Sequence, residues 1–284
     1  MNGKIHFLNT GYSDCIILES NGHIAMVDAA EDTEYPADKP NLKLPGYEET
    51  VVNYLKKHFA DERGKVHIDF VLGTHCHSDH IGGFDTVIND ADIIVDTAYL
   101  KPYHEEDIFV YEVQRWDNKE VYTQMLDAIK KNNVRLVEEF DKEQVKLGDF
   151  TVTFYNGTYK KHSKTFGENI NSVVTLIEIG DKKVLLAGDF NDKDGDEKKL
   201  SKILPNVDIL KVAHHGYPYS TTVRWLKALK PKYAVVCNYY QRIYPQVWLR
   251  LKLISRSKIL ATAANNGVLA EFSDNTLSLK YDIM

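Results

Sequence analysis

The sequence predicts an α/β protein built as a four-layer αββα sandwich, and three observations lead there. Short apolar strand runs come first as hairpins and then alternate with helix-period segments, and this order occurs twice along the chain. No Gly/Ser-rich or Pro-rich linker separates the two halves, so residues 1–284 read as a single domain. The 284 residues carry 43% hydrophobic and 27% charged side chains, the balance of a globular chain with a buried core.

In the first half, Lys4–Leu8, Cys15–Glu19 and Ile24–Val27 are strand candidates. The last two are joined by Ser20-Asn21-Gly22-His23, and Asn-Gly between apolar runs is a hairpin signal. Glu48–Phe59 places Val51, Val52, Leu55 and Phe59 at helical spacing. Ile68–Leu72 is a short buried strand, Ile93–Val95 the next, and Glu120–Lys131 a helix. In the second half the strand candidates are Val145–Leu147, Thr151–Tyr155, Val173–Ile179, Val184–Ala187, Ile209–Val212, Tyr233–Cys237, Ile259–Ala261, Val268–Phe272 and Leu277–Tyr281. Lys198–Leu204, Thr222–Leu229 and Gln246–Ser255 are the helix candidates. Two sheets packed face to face with helices outside satisfy this order; periodicity does not give the strand order within a sheet.

Charge and cysteine usage narrow the functions. With 35 Lys+Arg against 41 Asp+Glu the net charge is −6, which disfavours a broad electrostatic grip on nucleic acid. No apolar run approaches the roughly 20 residues of a membrane helix, and the start of the chain shows no secretory pattern. Cys15, Cys76 and Cys237 are an odd number, widely spread, so reduced thiols and a cytoplasmic protein are expected.

The chemistry concentrates in Thr74-His75-Cys76-His77-Ser78-Asp79-His80-Ile81-Gly82-Gly83, directly after a buried strand. His75 and His77, two apart in extended backbone, point the same way and can grip one ion. Asp79 and His80 follow at the start of a helix, aimed at a second. Imidazole with carboxylate suits zinc, with manganese or iron as other first-row options. Two further strands end in donors: Leu185-Leu186-Ala187-Gly188-Asp189, and Ile209 to Val212 running into Ala213-His214-His215-Gly216. Five of the 11 histidines fall in these motifs; His6, His23, His58, His67, His104 and His162 read as surface or packing.

These motifs resemble the metallo-β-lactamase superfamily of dinuclear metal hydrolases, whose αββα sandwich carries two metals at its strand ends. Phe7-Leu8-Asn9-Thr10-Gly11 leading to Asp14, with Asn169-Ile170-Asn171-Ser172, Leu210-Lys211 and His214-His215-Gly216, resembles the branch that holds the hydrolase domain of competence DNA-uptake proteins. A closer resemblance is to the catalytic modules of teichoic-acid phosphorylcholine esterases. It is carried by Lys4-Ile5-His6-Phe7, Ile16 to His23, Ala25 to Asp28, Tyr99-Leu100-Lys101, Trp116-Asp117-Asn118 and Asn171-Ser172. The choline-binding repeats of those esterases are absent from this sequence.

The resemblance implies two divalent ions and phosphodiester hydrolysis, on a small-molecule, cell-wall or lipid substrate more than on nucleic acid. It implies His75, His77 and Asn169 around one ion, Asp79, His80 and His215 around the other, and Asp189 bridging. Asn171 and His162 are the alternatives to Asn169, and the order of His214 and His215 stays open. His215 is favoured as ligand, leaving His214 to serve a phosphoryl oxygen and Asp79 to orient water. Cys76 occupies a variable position and is expected to pack. For a quaternary ammonium group, Trp116, Tyr217 and Tyr219 are the candidate aromatic contacts. Tyr159, Lys160 and Lys161 read as a solvated loop. The alternatives are a competence-type DNA-directed hydrolase and a non-catalytic metal-binding module.

Overall fold

The computed structural model describes residues 1–33, 45–161, 167–193 and 195–284. Strands β1 (Asn2–Phe7), β2 (Cys15–Ser20) and β3 (His23–Ala29) open the chain as an antiparallel meander. Asn21 and Gly22 turn between β2 and β3 with φ of 53° and 82°, the two left-handed residues of a tight hairpin. The chain then winds in parallel through β4 (Val66–Gly73), β5 (Ile93–Leu100) and β6 (Arg135–Val137). Parallel neighbours need crossovers. These are α1 (Glu48–Phe59), then α2 (Ser78–Ile81) with α3 (Phe84–Asn89), then α4 (Val110–Val113) with α5 (Asn118–Lys131).

The second sheet repeats the plan. Strands β7 (Gln144–Leu147), β8 (Phe150–Tyr155), β9 (Val174–Ile179) and β10 (Lys182–Leu186) are antiparallel. Strands β11 (Ile209–Lys211), β12 (Tyr233–Val236) and β13 (Lys258–Ala261) continue in parallel. Their crossovers contain α6 (Asp196–Leu200), α7 (Val223–Leu229) and α8 (Pro245–Arg250). Finally β14 (Val268–Ser273) returns to pair with β1, and β15 (Thr276–Tyr281) edges the first sheet. Among the described residues the sheets have eight strands, β15-β14-β1-β2-β3-β4-β5-β6, and seven, β13-β12-β11-β10-β9-β8-β7.

Three apolar layers follow from strand alternation. Phe7, Phe70, Phe150, Phe154 and Val235 fill the space between the sheets. Ile17, Met26 and Val71 on the opposite face of the first sheet meet Val51 and Leu55 of α1, Phe84 of α3 and Met125 of α5. Leu185, Leu210 and Ala234 on the outer face of the second meet Trp225 and Leu226 of α7 and Val247 of α8. The architecture is the expected four-layer αββα sandwich.

Three details differ from the sequence reading. The helix expected over Lys198–Leu204 is α6, which starts at Asp196 and stops at Leu200, where Ser201–Ile203 turn instead. The helix expected over Gln246–Ser255 is α8 followed by a wider, π-type turn over Leu251–Ser255, closed by Arg256 at φ 55°. Strand β6 and helices α3 and α4 went unread, being only 3, 6 and 4 residues long, too short to show a period.

Candidate metal centre

The parallel strands of both sheets end on the same side, and three of those ends supply the site. Beyond β4 the chain bends at His75 and Cys76, the His77 amide donating to the His75 carbonyl at 3.1 Å, and His77 is extended (φ −100°, ψ 149°) where α2 begins. Beyond β10, Gly188 turns at φ 49° beside Thr74, whose Oγ1 would lie 3.1 Å from a Cβ at that position. Asp189 is thereby delivered next to the histidines. Beyond β11, His214 and His215 sit at φ 53° and 49°, a left-handed pair in non-glycine residues. Such conformations cost about 1–3 kcal/mol each and persist where surrounding contacts impose them.

Two groups of ligand-type atoms result. Donor atoms of His75, His77 and Asp189 lie within 4.8 Å of one another, and so do those of Asp79, His80 and His215. Nε2 of His75 is 3.0 Å from Nδ1 of His77, and Nε2 of His80 is 3.2 Å from Nε2 of His215. Asp189 stands between the groups, with Oδ1 3.2 Å from His80 Nε2 and 3.3 Å from His215 Nε2. Asp79 Oδ2 is 3.1 Å from His215 Nε2.

Each imidazole has an acceptor at its outer nitrogen, which leaves a lone pair turned inward in the neutral ring. His80 Nδ1 faces Asp28 Oδ2 at 2.7 Å, and His215 Nδ1 faces the Cys237 carbonyl at 3.2 Å. His75 Nδ1 lies 3.1 Å from Thr74 Oγ1, whose own proton goes to Asp28. His77 Nε2 lies 3.0 Å from Glu112 Oε1. Lone pairs converging on one another, around an Asp189 Oδ1 that is buried without a hydrogen bond, fit divalent first-row ions.

Proton affinities show the same demand for positive charge. Burial opposes charging His80 and His215, but Asp189 and its neighbouring carboxylates outweigh it. His80 is raised well above the ordinary histidine value and His215 is pushed up to about 10. Burial likewise opposes ionising Asp189 and Asp79, yet the surrounding histidines hold Asp189 far below its usual range and Asp79 at about 2. His75 is lowered well below its ordinary value by burial and by His80 and His77.

The roles of the residues behind the cluster were not read from the sequence, although several of them fall in its motifs. Asp28 on β3 holds both His80 and Thr74, accepting from the Thr74 amide at 2.8 Å. Lys211 is fully buried, donates to the Gly188 carbonyl at 2.9 Å, pairs with Asp14 and stands 3.8 Å from Asp189. Asp14 also reaches His215 Nδ1 at 3.4 Å. A lysine inside the apolar run Ile209-Leu210-Lys211-Val212 was the available signal, because a buried ammonium demands a carboxylate partner.

The cluster floors a cavity of about 430 Å³. Its walls include Tyr12, Trp116 and Tyr217, the carboxylates Glu31 and Asp117, and Arg242. Burial, with Asp79 nearby, pushes the Glu31 carboxyl up to about 9. Asn169 and His214 line it as well, with Asn169 Nδ2 3.1 Å from His214 Nε2 and Asn169 Oδ1 buried and unpaired. His214 Nε2 is 3.8 Å from Asp189 Oδ2. A larger depression of about 610 Å³, beside Tyr103, Val113 and Tyr122, touches none of the clustered side chains.

Of the residues singled out in the sequence, the fold assembles His75, His77, Asp79, His80, Asn169, Asp189, His214, His215, Trp116 and Tyr217 around this cavity. Tyr219 is a correction. It is 66% exposed in a separate hollow with Asp192 and Tyr244, Lys193 lying 5.3 Å from its ring, because its left-handed backbone (φ 68°) turns it out past Pro218. Asn171 is buried with both ends of its amide engaged, by the Lys160 amide and by Glu168, so it does not reach the cluster. His162 lies outside the described residues. Cys76 packs into the core under α5. Tyr159 and Lys160 pair with Asp107 and Asp196, away from the cavity.

A sequence model described as the metallo-beta-lactamase superfamily matches residues 8–238. The chain is 27% identical over 207 residues to ComE operon protein 3 of Bacillus subtilis, a match covering 71% of this chain and 24% of that protein. It is 35% identical over 74 residues to Recombination protein 2 of Haemophilus influenzae, covering 26% of this chain and 9% of that protein. The chain thus spans a quarter or less of these curated relatives. Among solved structures, the metallo-beta-lactamase fold protein YhfI of Bacillus subtilis superposes with a TM-score of 0.56 at 13% identity, covering 96% of this chain and all of that one. Igni18, a metallo hydrolase of Ignicoccus hospitalis, superposes with a TM-score of 0.51 at 17% identity over 95% of this chain and all of that one. At such identities the likeness is one of fold.

Proposed function

The chain belongs to the metallo-β-lactamase superfamily, and from that premise we propose that residues 1–284 form one dinuclear metal-dependent phosphodiesterase that favours phosphocholine-type esters. The observation that carries the reading is the character of the cavity over the cluster: aromatic and acidic, with Arg242 the one residue of fixed positive charge among its described lining. A quaternary ammonium group is attracted to aromatic faces and to carboxylates, which Trp116, Tyr12, Tyr217 and Asp117 offer together.

His75, His77 and Asp189, with Asn169 Oδ1 beside them, would hold one ion. Asp79, His80 and His215 would hold the other, with Asp189 shared. Two divalent ions held there, zinc before manganese or iron, would supply Lewis-acid polarisation of a phosphoryl group and would acidify water. Asp79 orients the attacking water through its inward carboxylate. His214, 25% exposed at the cavity edge, would serve a phosphoryl oxygen as the imidazolium, because in the neutral ring Nδ1 donates to the Pro218 carbonyl and Nε2 accepts from Asn169 Nδ2. Asp28, Glu112 and the Cys237 carbonyl hold the rings of His80, His77 and His215 in orientation. Buried free thiols at Cys15, Cys76 and Cys237 favour a reducing, cytoplasmic location. Among the described residues no helix is long and apolar enough to cross a membrane.

A second reading, a DNA-directed hydrolase of the competence type, is favoured by the match to ComE operon protein 3 over 71% of the chain. One experiment separates the two: metal content by elemental analysis, with turnover of p-nitrophenyl phosphorylcholine and of single-stranded DNA on the same sample. Two metals per chain and chelator-sensitive release of nitrophenol are expected. Two metals with cleavage of DNA alone would overturn the phosphocholine assignment, and fewer than two would overturn the dinuclear one.

A further inference from the structure

Glu112 is the inward-facing member of a segment that otherwise faces out. On and around α4, Phe109, Val110 and Tyr111 are 41%, 60% and 51% exposed, whereas the Glu112 side chain is 12% exposed. Its Oε1 receives three donors from three different parts of the fold: His77 Nε2 at 3.0 Å, Asn118 Nδ2 at 3.0 Å and the Glu168 backbone amide at 2.9 Å. Asn118 opens α5 two residues after Trp116, and Glu168 opens the turn that carries Asn169. The fit is close on the other side as well. A Cβ at Gly167 would stand 1.8 Å from Glu112 Oε2 and 2.9 Å from its carboxyl carbon.

We infer that Glu112 is a positioning residue that couples the substrate-facing wall to the metal cluster. One carboxylate sets the ring of His77 with Nδ1 inward and, through the same oxygen, registers the residues flanking Trp116 and Asn169. The inference rests on the metal-binding role proposed above for His77. Because the two ends share one anchor, filling the cluster and ordering the wall stabilise each other, and the coupling is reciprocal. A carboxylate that merely filled space under α4 would show neither effect.

The test uses the full chain and Zn²⁺ alone. Zinc affinity is measured by competition with a chromophoric chelator, and wall order by the rate of tryptic cleavage after the exposed Arg115, with and without zinc. In the wild type, zinc should slow that cleavage. Glu112→Ala should weaken zinc binding by about 10–100-fold and abolish the protection. Glu112→Gln should fall between, since a neutral amide oxygen accepts less strongly than a carboxylate. Gly167→Ala retains the carboxylate but displaces it, and should resemble Glu112→Ala. If Glu112→Ala does not fold, Glu112→Gln and Gly167→Ala decide the question. Wild-type zinc affinity in these variants, or zinc protection of Arg115 that survives in them, would overturn the inference. A wild type that binds no zinc would instead overturn the metal assignment, and one that binds two without hydrolysing the ester would overturn only the substrate.

Discussion

The floor and the wall of the cavity are built on different principles. Every clustered donor on the floor follows a strand end, and most are 5% exposed or less, like His75, His80, Asp189 and His215. Behind them a further buried shell, Asp28, Thr74, Asp14 and Lys211, fixes ring orientation and charge. The wall comes from loops and short helices, and its Trp116 is 43% exposed. Strand ends in a packed sandwich cannot shift without disturbing two layers, whereas loop residues can be exchanged at little cost to the fold. On the proposed function, the difference would put the hydrolytic chemistry in the floor and the choice of substrate in the wall.

The comparison breaks most readily at Asp189. If the floor acts as one unit around this shared carboxylate, Asp189→Ala should reduce metal content below two per chain and lower turnover at least ~10³-fold. Elemental analysis with ester hydrolysis checks both, and a variant that stays fully active would sink the shared-ligand assignment.

Trp116→Ala tests the wall and should act on selectivity alone. Loss of a cation–π contact costs about 0.5–2 kcal/mol, so KM for the phosphocholine ester should rise roughly 2–30-fold. Metal content, and turnover of a small phosphodiester without an ammonium group, should stay as in the wild type. An equal loss on both substrates would mean that the wall supports the floor rather than selecting the substrate.

Floor and wall also differed in how far the sequence disclosed them. His75, His77, Asp79 and His80 fall within six positions, a density of donors that chance or packing seldom produces, and Gly188-Asp189 and His214-His215 each close an apolar run. The strands were legible for the same reason: long apolar runs have few alternatives in a buried sheet. Asp28, Glu31 and Glu112 are three of 41 acidic residues, and nothing local marks them; only the parallel pairing of β3 with β4 puts Asp28 behind His80. Tyr219 was misplaced by proximity in sequence, because a left-handed turn after Pro218 sends it away from the cavity that Tyr217 lines. Arg242 and Tyr12, distant in sequence, meet in the wall with the guanidinium 5.3 Å from the ring, a contact only the folded chain defines.

The smallest effect on turnover is expected at Glu197, a buried carboxylate outside both regions, and it isolates what the histidines do for the floor. Glu197 is fully buried at the start of α6, where it accepts from the backbone amides of Thr221 and Thr222. Among the described residues no imidazole pairs with it there, and burial pushes it up to about 7 despite those hydrogen bonds, whereas Asp189 among its histidines is held low. The native state therefore keeps a proton that the unfolded chain has lost above about pH 4.5. Between that pH and about 7, the contribution of Glu197 to stability should fall as pH rises, by on the order of 1 kcal/mol per pH unit, and then level off. Glu197→Gln, neutral throughout, should lessen the slope of stability against pH by that amount in urea unfolding measured across the window, while metal content and ester turnover stay at wild-type values. A slope unchanged from the wild type would assign the titration to other buried acids, and the contrast between a compensated floor and an uncompensated carboxylate would lose its clearest control.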